Sequence, residues 1–188
     1  MSKRIVLAIT GASGALYAVD FLKIMAELSV EVDGLISAAG EEVLRIELGL
    51  TKADLTPVRR WYEANDFTAP MASGSSHYDG MAVLPCTMGT LGAIACGQSI
   101  NLLHRAADVM LKERRPLVLA VRETPLNGIH LKNMLKAHEA GAIICPAMPA
   151  FYHRPTEISE LAHDFSTRVA ALLGIEAPDR RRWGGSDV

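Results

Sequence analysis

Aromatic residues are scarce in this chain: Phe, Tyr and Trp together make up 5% of its 188 residues. Hydrophobic residues are nonetheless 49% of the sequence, so a core must be assembled from Ala, Leu, Val and Ile. Cysteine is rarer still. Cys86, Cys96 and Cys145 are odd in number and form no CxxC pair, which argues for a reducing compartment and against a structural zinc site. The six histidines show no HxxxH or HExxH spacing, so no metal is expected. Charge of one sign is missing too. A net charge of -2 leaves no basic footprint for nucleic acid. No apolar run is long enough to span a membrane, and an apolar strand begins at Arg4, which leaves no room for a signal peptide. The expected setting is the cytoplasm.

What is present is an alternation. "RIVLAIT" (4–10), "VEVDGLIS" (30–37), "MAVLPCT" (81–87), "PLVLAV" (116–121) and "AIICPAM" (142–148) read as five short apolar strands. Helical spacing separates them in "LYAVDFLKIMAEL", "AAGEEVLRIEL", "GTLGAIACG", "INLLHRAADVMLKER" and "IHLKNMLKAHEAG", and a last helix follows over "TEISELAHDFSTRVAALLGI". Residues 51–80, rich in Ser, Gly, Asn and Asp, read largely as loop. Strands separated by helices predict a doubly wound parallel α/β sheet with helices on both faces. No repeat or linker divides the chain, so a single domain is expected over 1–175, with a tail at 176–188 whose "DRRRW" reads as a solvated basic stretch.

Ligands of such sheets sit beyond the carboxyl ends of the strands. There the chain places "TGASG", "ISAAG", "PCTMGT", "VRETP" and "PAMPAFYHRP". "TGASGA" is a strand, a tight turn and a helix start, where backbone amides and the helix dipole attract phosphate. It matches neither GxGxxG, GxxxxGK[ST] nor GxSxG, and a purely structural turn explains it equally well. "CTMGT" repeats the logic, with Thr87 as a ligand contact or simply an N-cap. Arg105 and Lys112 lie two helical turns apart with Asp108 between them, a spacing that a surface salt ladder also explains. Arg122 and Glu123 end an apolar strand side by side. Either the chain reaches solvent there, or both charges have work at the sheet edge.

The segments "TGASGA", "ASGS", "PCTMGTL", "NLLHRAADVMLKERRPLVLAVRETPL", "HLKNMLKAHEAGAII" and "PAMPAFYHRP" occur in the order found in the UbiX-type flavin prenyltransferases. The chain resembles that family from Arg4 to about Ile175. The resemblance implies a flavodoxin-like (Rossmann-type) subunit that joins a dimethylallyl unit from dimethylallyl phosphate to N5 and C6 of reduced FMN. Its product, prenylated FMN, would serve a partner UbiD-type decarboxylase in ubiquinone synthesis or aromatic-acid metabolism. A metal-independent homo-oligomer, a dodecameric shell with sites between subunits, is also implied. Matching motifs assign FMN contacts to Gly11, Ala12, Ser13, Ser37, Thr87, Met88, Gly89, Thr90 and Arg122. They assign the prenyl phosphate to Arg105, Lys112, Arg122, Tyr152 and Arg168, and catalysis to Glu123, Ser13, Arg122 and Lys112, with Glu123 as the acid-base group. The chain departs from the family pattern at Thr87, where serine is commoner, and at Gly89, where lysine is frequent.

The chemistry suits these residues. A phosphate leaving an allylic carbon needs cations to hold it, and arginine grips phosphate with a planar fork. Two other readings stand beside this one. A flavodoxin-like electron carrier would need the flavin edge but no separate set of cations. A flavin-dependent decarboxylase of the same fold would carry asparagine where Pro149 stands.

Overall fold

Six parallel strands, ordered β3-β2-β1-β4-β5-β6, form the sheet of the computed structural model, which describes residues 3–181. They are β1 (Arg4–Ile9), β2 (Glu31–Ile36), β3 (Arg60–Tyr62), β4 (Gly80–Cys86), β5 (Leu117–Val121) and β6 (Ile143–Ile144). The helices are α1 (Ala15–Glu27), α2 (Ala38–Leu48), α3 (Met88–Ala95), α4 (Leu102–Lys112), α5 (Gly128–Glu139) and α6 (Ile158–Leu172). Without the three-residue β3, the order is the flavodoxin-like 2-1-3-4-5.

Period-two alternation decides which face each strand residue serves. Ile5, Leu7 and Ile9 of β1 pack with α1, α2 and α6, while Val6 and Ala8 pack with α3, α4 and α5. Both faces of the central strands are covered, and every residue of β4 and β5 is buried, which is why they read as continuous apolar runs.

Three expectations are corrected. Residues 51–80 contain a strand, β3, which pairs with β2 at the sheet edge. Trp61 fills the space above Gly34, where a Cβ would meet its ring at 2.5 Å. Three residues are too few to show an alternation in sequence. The last strand shrinks from 142–148 to Ile143–Ile144, because prolines at 146 and 149 withhold ladder donors. The chain still follows β5, with the Cys145 and Ala147 amides donating to Leu119 and Val121 carbonyls, both at 2.9 Å. The first residues of the expected tail join the core: Ala177 is buried with Ile175 and Leu173. The rest of that tail, 182–188, lies outside the described residues.

Candidate active site

The order of strands reverses between β1 and β4, and their carboxyl ends part there. Thr10 ties the two ends together. Its hydroxyl donates to the Pro85 carbonyl (2.8 Å) and accepts the Thr87 amide (2.9 Å). Beyond β1 the turn must pass close to α2: a Cβ on Gly11 would lie 2.4 Å from the Ala39 Cβ, so only glycine fits. Gly14 then opens α1 at φ 112°, in the left-handed region, and offers no side-chain cap.

A residue that sequence reasoning missed supplies that cap. Glu47, in the last turn of α2, accepts the Gly14 amide (3.0 Å) and the Ala15 amide (2.8 Å). Burial pulls its carboxyl up, but hydrogen bonds from Ser13 and these two amides, with the charge of Arg122, hold it below the usual carboxylate range. The amides expected to attract a phosphate therefore already face an anion. Tyr17, one turn into α1, is a second missed residue. Burial raises its phenol, Arg122 opposes this and Glu47 adds to it, so Tyr17, Arg122 and Glu47 share one neighbourhood. No sequence signal marks Glu47, which is one of several glutamates on an amphipathic helix.

The helix starts on either side of α1 at the switch point, those of α2 and α3, are capped by their own side chains. Ser37 accepts the Gly40 amide (3.0 Å) at α2, and Thr87 accepts the Thr90 amide (3.2 Å) at α3. The Thr87 and Thr90 hydroxyls are 3.0 Å apart. A Cβ on Gly89 would meet nothing nearer than the Thr87 hydroxyl at 4.0 Å, so the α3 start faces open space and a ligand can reach its backbone. Arg122 and Glu123 are both exposed beyond β5. The Arg122 amide donates to the Cys86 carbonyl (3.1 Å), and the Glu123 carboxylate accepts the Thr124 amide (3.0 Å).

A cavity of about 420 Å³ adjoins this edge, lined among others by Cys145, Met148, Tyr152, His153, Phe165 and Arg168. Phe165 connects the two regions, since its ring lies 4.8 Å from that of Tyr17, and the Ser166 hydroxyl donates to the Tyr17 carbonyl. Tyr152 packs edge-on against His153. The His153 Nδ1 and an Asp164 carboxylate oxygen line it as buried polar atoms.

Two assigned cations are elsewhere in the protomer. Arg105 donates to the Ala72 carbonyl (3.0 Å) and pairs with Asp108 (2.7 Å), much as the salt-ladder reading has it. Lys112 pairs with Glu113 at the end of α4, just before β5 begins. It therefore lies at the amino edge of the sheet, opposite Tyr152 and Arg168. One chain brings together Ser13, Arg122, Tyr152 and Arg168 around one edge, but not Lys112.

The sequence matches the family described as Flavoprotein over residues 1–167. It is 46% identical to the flavin prenyltransferase UbiX of Methanothermobacter thermautotrophicus, over 99% of this chain and 98% of that one. The fold superposes on AnUbiX (PadA1), crystallised with FMN and dimethylallyl pyrophosphate, with TM-score 0.95 and 41% identity over 98% and 99% of the two chains. It also matches a dodecameric FMN-dependent UbiX-like decarboxylase from Escherichia coli O157:H7, with TM-score 0.92 and 38% identity over 97% and 100%. A family model over most of the chain, and relatives matched at this identity over nearly its whole length, settle the family: the chain belongs to the flavin prenyltransferases of the Flavoprotein family.

Proposed function

We propose that this protein prenylates reduced FMN at N5 and C6 with dimethylallyl phosphate, releasing phosphate and supplying prenylated FMN to a UbiD-type decarboxylase. The observation that carries this reading is the adjacency of two unlike sites. The switch-point edge bears Ser13, Glu47 and Arg122, and the Tyr17–Phe165 contact joins it to a pocket holding Tyr152 and Arg168. An electron carrier has no use for the second.

The residues fit the flavin. The Gly89 approach and the capped starts of α2 and α3 form a cradle at Ser37 and Thr87–Thr90 for its phosphate. Glu47 disfavours the α1 start for that role, because two like charges about 4 Å apart repel by about 4 kcal/mol at an effective dielectric of 20. Gly11, Ala12 and Ser13 then border the ring system. Reduced FMN supplies the nitrogen and carbon that take up the isoprenoid. Arg122 stands between flavin and donor, Arg168 and Tyr152 hold the leaving phosphate, and Glu123 and Glu47 are the carboxylates placed to move protons at this edge.

The site is completed by assembly. Lys112 lies at the wrong edge to serve its own pocket, so it reaches the donor of another subunit. Exposed apolar side chains on α5 (Ile129, Leu131, Leu135) and around the pocket mouth (Met148, Phe151) suit burial between subunits, as in a dodecameric shell. Among the described residues no helix is long and apolar enough to cross a membrane. Three free thiols support a reducing, cytoplasmic setting. Incubation with FMN, a reductant and dimethylallyl phosphate, followed by mass spectrometry, should show the flavin heavier by one isoprenoid unit. An unchanged flavin mass would defeat this reading.

A further inference from the structure

The end of β4 has no regular ladder to set it. Its even pairing with β1 runs from Ile5 opposite Gly80 to Ala8 opposite Val83, and its pairing with β5 shifts register between Val83 and Cys86. Pro85, inside that irregular stretch, has no amide to donate. Yet α3 begins at Met88, directly beyond Thr87. Where that helix starts therefore depends on how Pro85, Cys86 and Thr87 are held.

They are held from both sides. On the β5 side the Arg122 amide donates to the Cys86 carbonyl, a backbone contact that any residue except proline could make. On the β1 side the contact is a side chain. Thr10 is 2% exposed. Its amide reaches the Pro85 carbonyl at 3.3 Å, whereas its hydroxyl donates to that carbonyl at 2.8 Å and accepts the Thr87 amide at 2.9 Å. A hydroxyl is a small group that donates and accepts at once, so position 10 calls for threonine or serine.

The link continues into the helix. Thr87 is the N-cap of α3, and its hydroxyl accepts the Thr90 amide and meets the Thr90 hydroxyl. A chain of hydrogen bonds thus runs from the end of β1 through Thr10 and Thr87 to Thr90. Without the Thr10 hydroxyl, the Thr87 amide faces a carbon, and leaving a part-buried amide unpaired is costly enough to move it. A cap that moves takes the first amides of α3 with it. Hydrogen bonds weaken steeply as their angles close, so a shifted start grips a phosphate less well.

Resting on the reading of Ser37 and Thr87–Thr90 as the cradle of the flavin phosphate, we infer that Thr10 is a positioning residue for that cradle and sets the preference of this protein for FMN over riboflavin, which lacks the phosphate. It acts through Thr87 rather than on the flavin itself.

The test measures dissociation constants of FMN and of riboflavin, by fluorescence quenching, for wild type and for Thr10→Val, Thr10→Ala, Thr10→Ser and Thr87→Ala. Wild type should favour FMN by at least about tenfold, the scale of a contact to a charged group. Thr10→Val keeps the branched shape without the hydroxyl. It should weaken FMN by about tenfold and change riboflavin by less than about threefold. Thr10→Ala serves the same purpose should the valine variant fail to fold, and Thr10→Ser should return FMN to within about threefold of wild type. A general loss of folded protein would weaken both flavins alike, so the ratio of the two constants reports on the phosphate end. Equal weakening of both flavins, unchanged constants, or a serine variant no better than valine would each overturn the positioning role. Thr87→Ala tests the reading underneath. It should also erase the preference for FMN; a preference left intact would remove the cradle from α3, and the role of Thr10 with it. If Thr87→Ala erases the preference and Thr10→Val does not, the cradle stands and Thr10 alone falls.

Discussion

Glu47 occupies the amides that a nucleotide phosphate would otherwise take, and it does so from another helix. Replacing it with Ala vacates the α1 start and removes the like charge. With the flavin phosphate at Ser37 and Thr87–Thr90, the FMN dissociation constant of Glu47→Ala should stay within about threefold of wild type, the change expected when no direct phosphate contact is altered. Tightening by an order of magnitude or more in a fluorescence titration would place the phosphate on the α1 amides instead. Glu123 poses a different question, because its carboxylate is exposed and accepts only a neighbouring amide among the described contacts. Glu123→Gln keeps size and hydrogen bonding but removes the base. Single-turnover prenylation should slow by about 10²–10⁴-fold with FMN and donor still bound. A Gln variant as fast as wild type would make Glu123 structural.

At the scale of elements, the amino edge of the sheet is fastened by one buried carboxylate. Asp33 on β2, fully buried, accepts from Arg4 on β1 (2.7 Å), from Arg59 just before β3 (2.8 Å) and from Tyr78 just before β4 (2.6 Å). Burial raises its carboxyl, but the bonds from Arg59, Tyr78 and Arg4 outweigh it and hold the group below the ordinary aspartate value of 3.8. A depressed folded value contributes stability that is present above the unfolded value and lost as pH falls through the folded one. Asp33→Asn should therefore cost about 2 kcal/mol at neutral pH, a figure discounted because both arginines are partly exposed. The gap between the urea midpoints of wild type and variant should shrink below about pH 4. A gap that stays constant through that window would mean the carboxylate charge does not matter there. At the opposite edge the same logic runs through Thr10, whose single hydroxyl couples the ends of β1 and β4 and so positions the α3 start.

For the whole molecule, the separation of Lys112 from Arg168 makes a strong claim: a working donor site draws on more than one chain. Lys112→Ala and Arg168→Ala should each be nearly inactive alone. Dissociated, mixed and reassembled in equal amounts, they should recover activity up to about a quarter of the sites, the share in which both intact residues meet by chance in a symmetric assembly. No recovery, with light scattering showing that mixed shells had formed, would return both residues to one chain's site. The exposed apolar face of α5 is the surface such an assembly would cover, which is why a core poor in aromatics still leaves large aliphatic side chains outside.

The sequence by itself determined the central strands of the sheet, their winding and the ligand edge. Apolar strands, glycine turns and helix periods are local features, and their order along the chain leaves few topologies open. It also brought out the motif residues at strand ends, because the carboxyl edge collects them whatever the packing. Only the tertiary structure decided which charges share a site. Glu47 is one acidic residue among several on α2 until that helix lies beside the α1 start. Arg180 and Arg181 read as a solvated stretch until the buried Ala177 turns them against the cavity. Lys112, seven residues from Arg105 on one helix, looked like its companion at a phosphate and is carried to the opposite edge of the sheet. β3 was hidden for a related reason: three residues hold no period of their own, and pairing with β2 makes them a strand. Spacing along a helix fixes which residues share its face, but long-range packing fixes what that face meets.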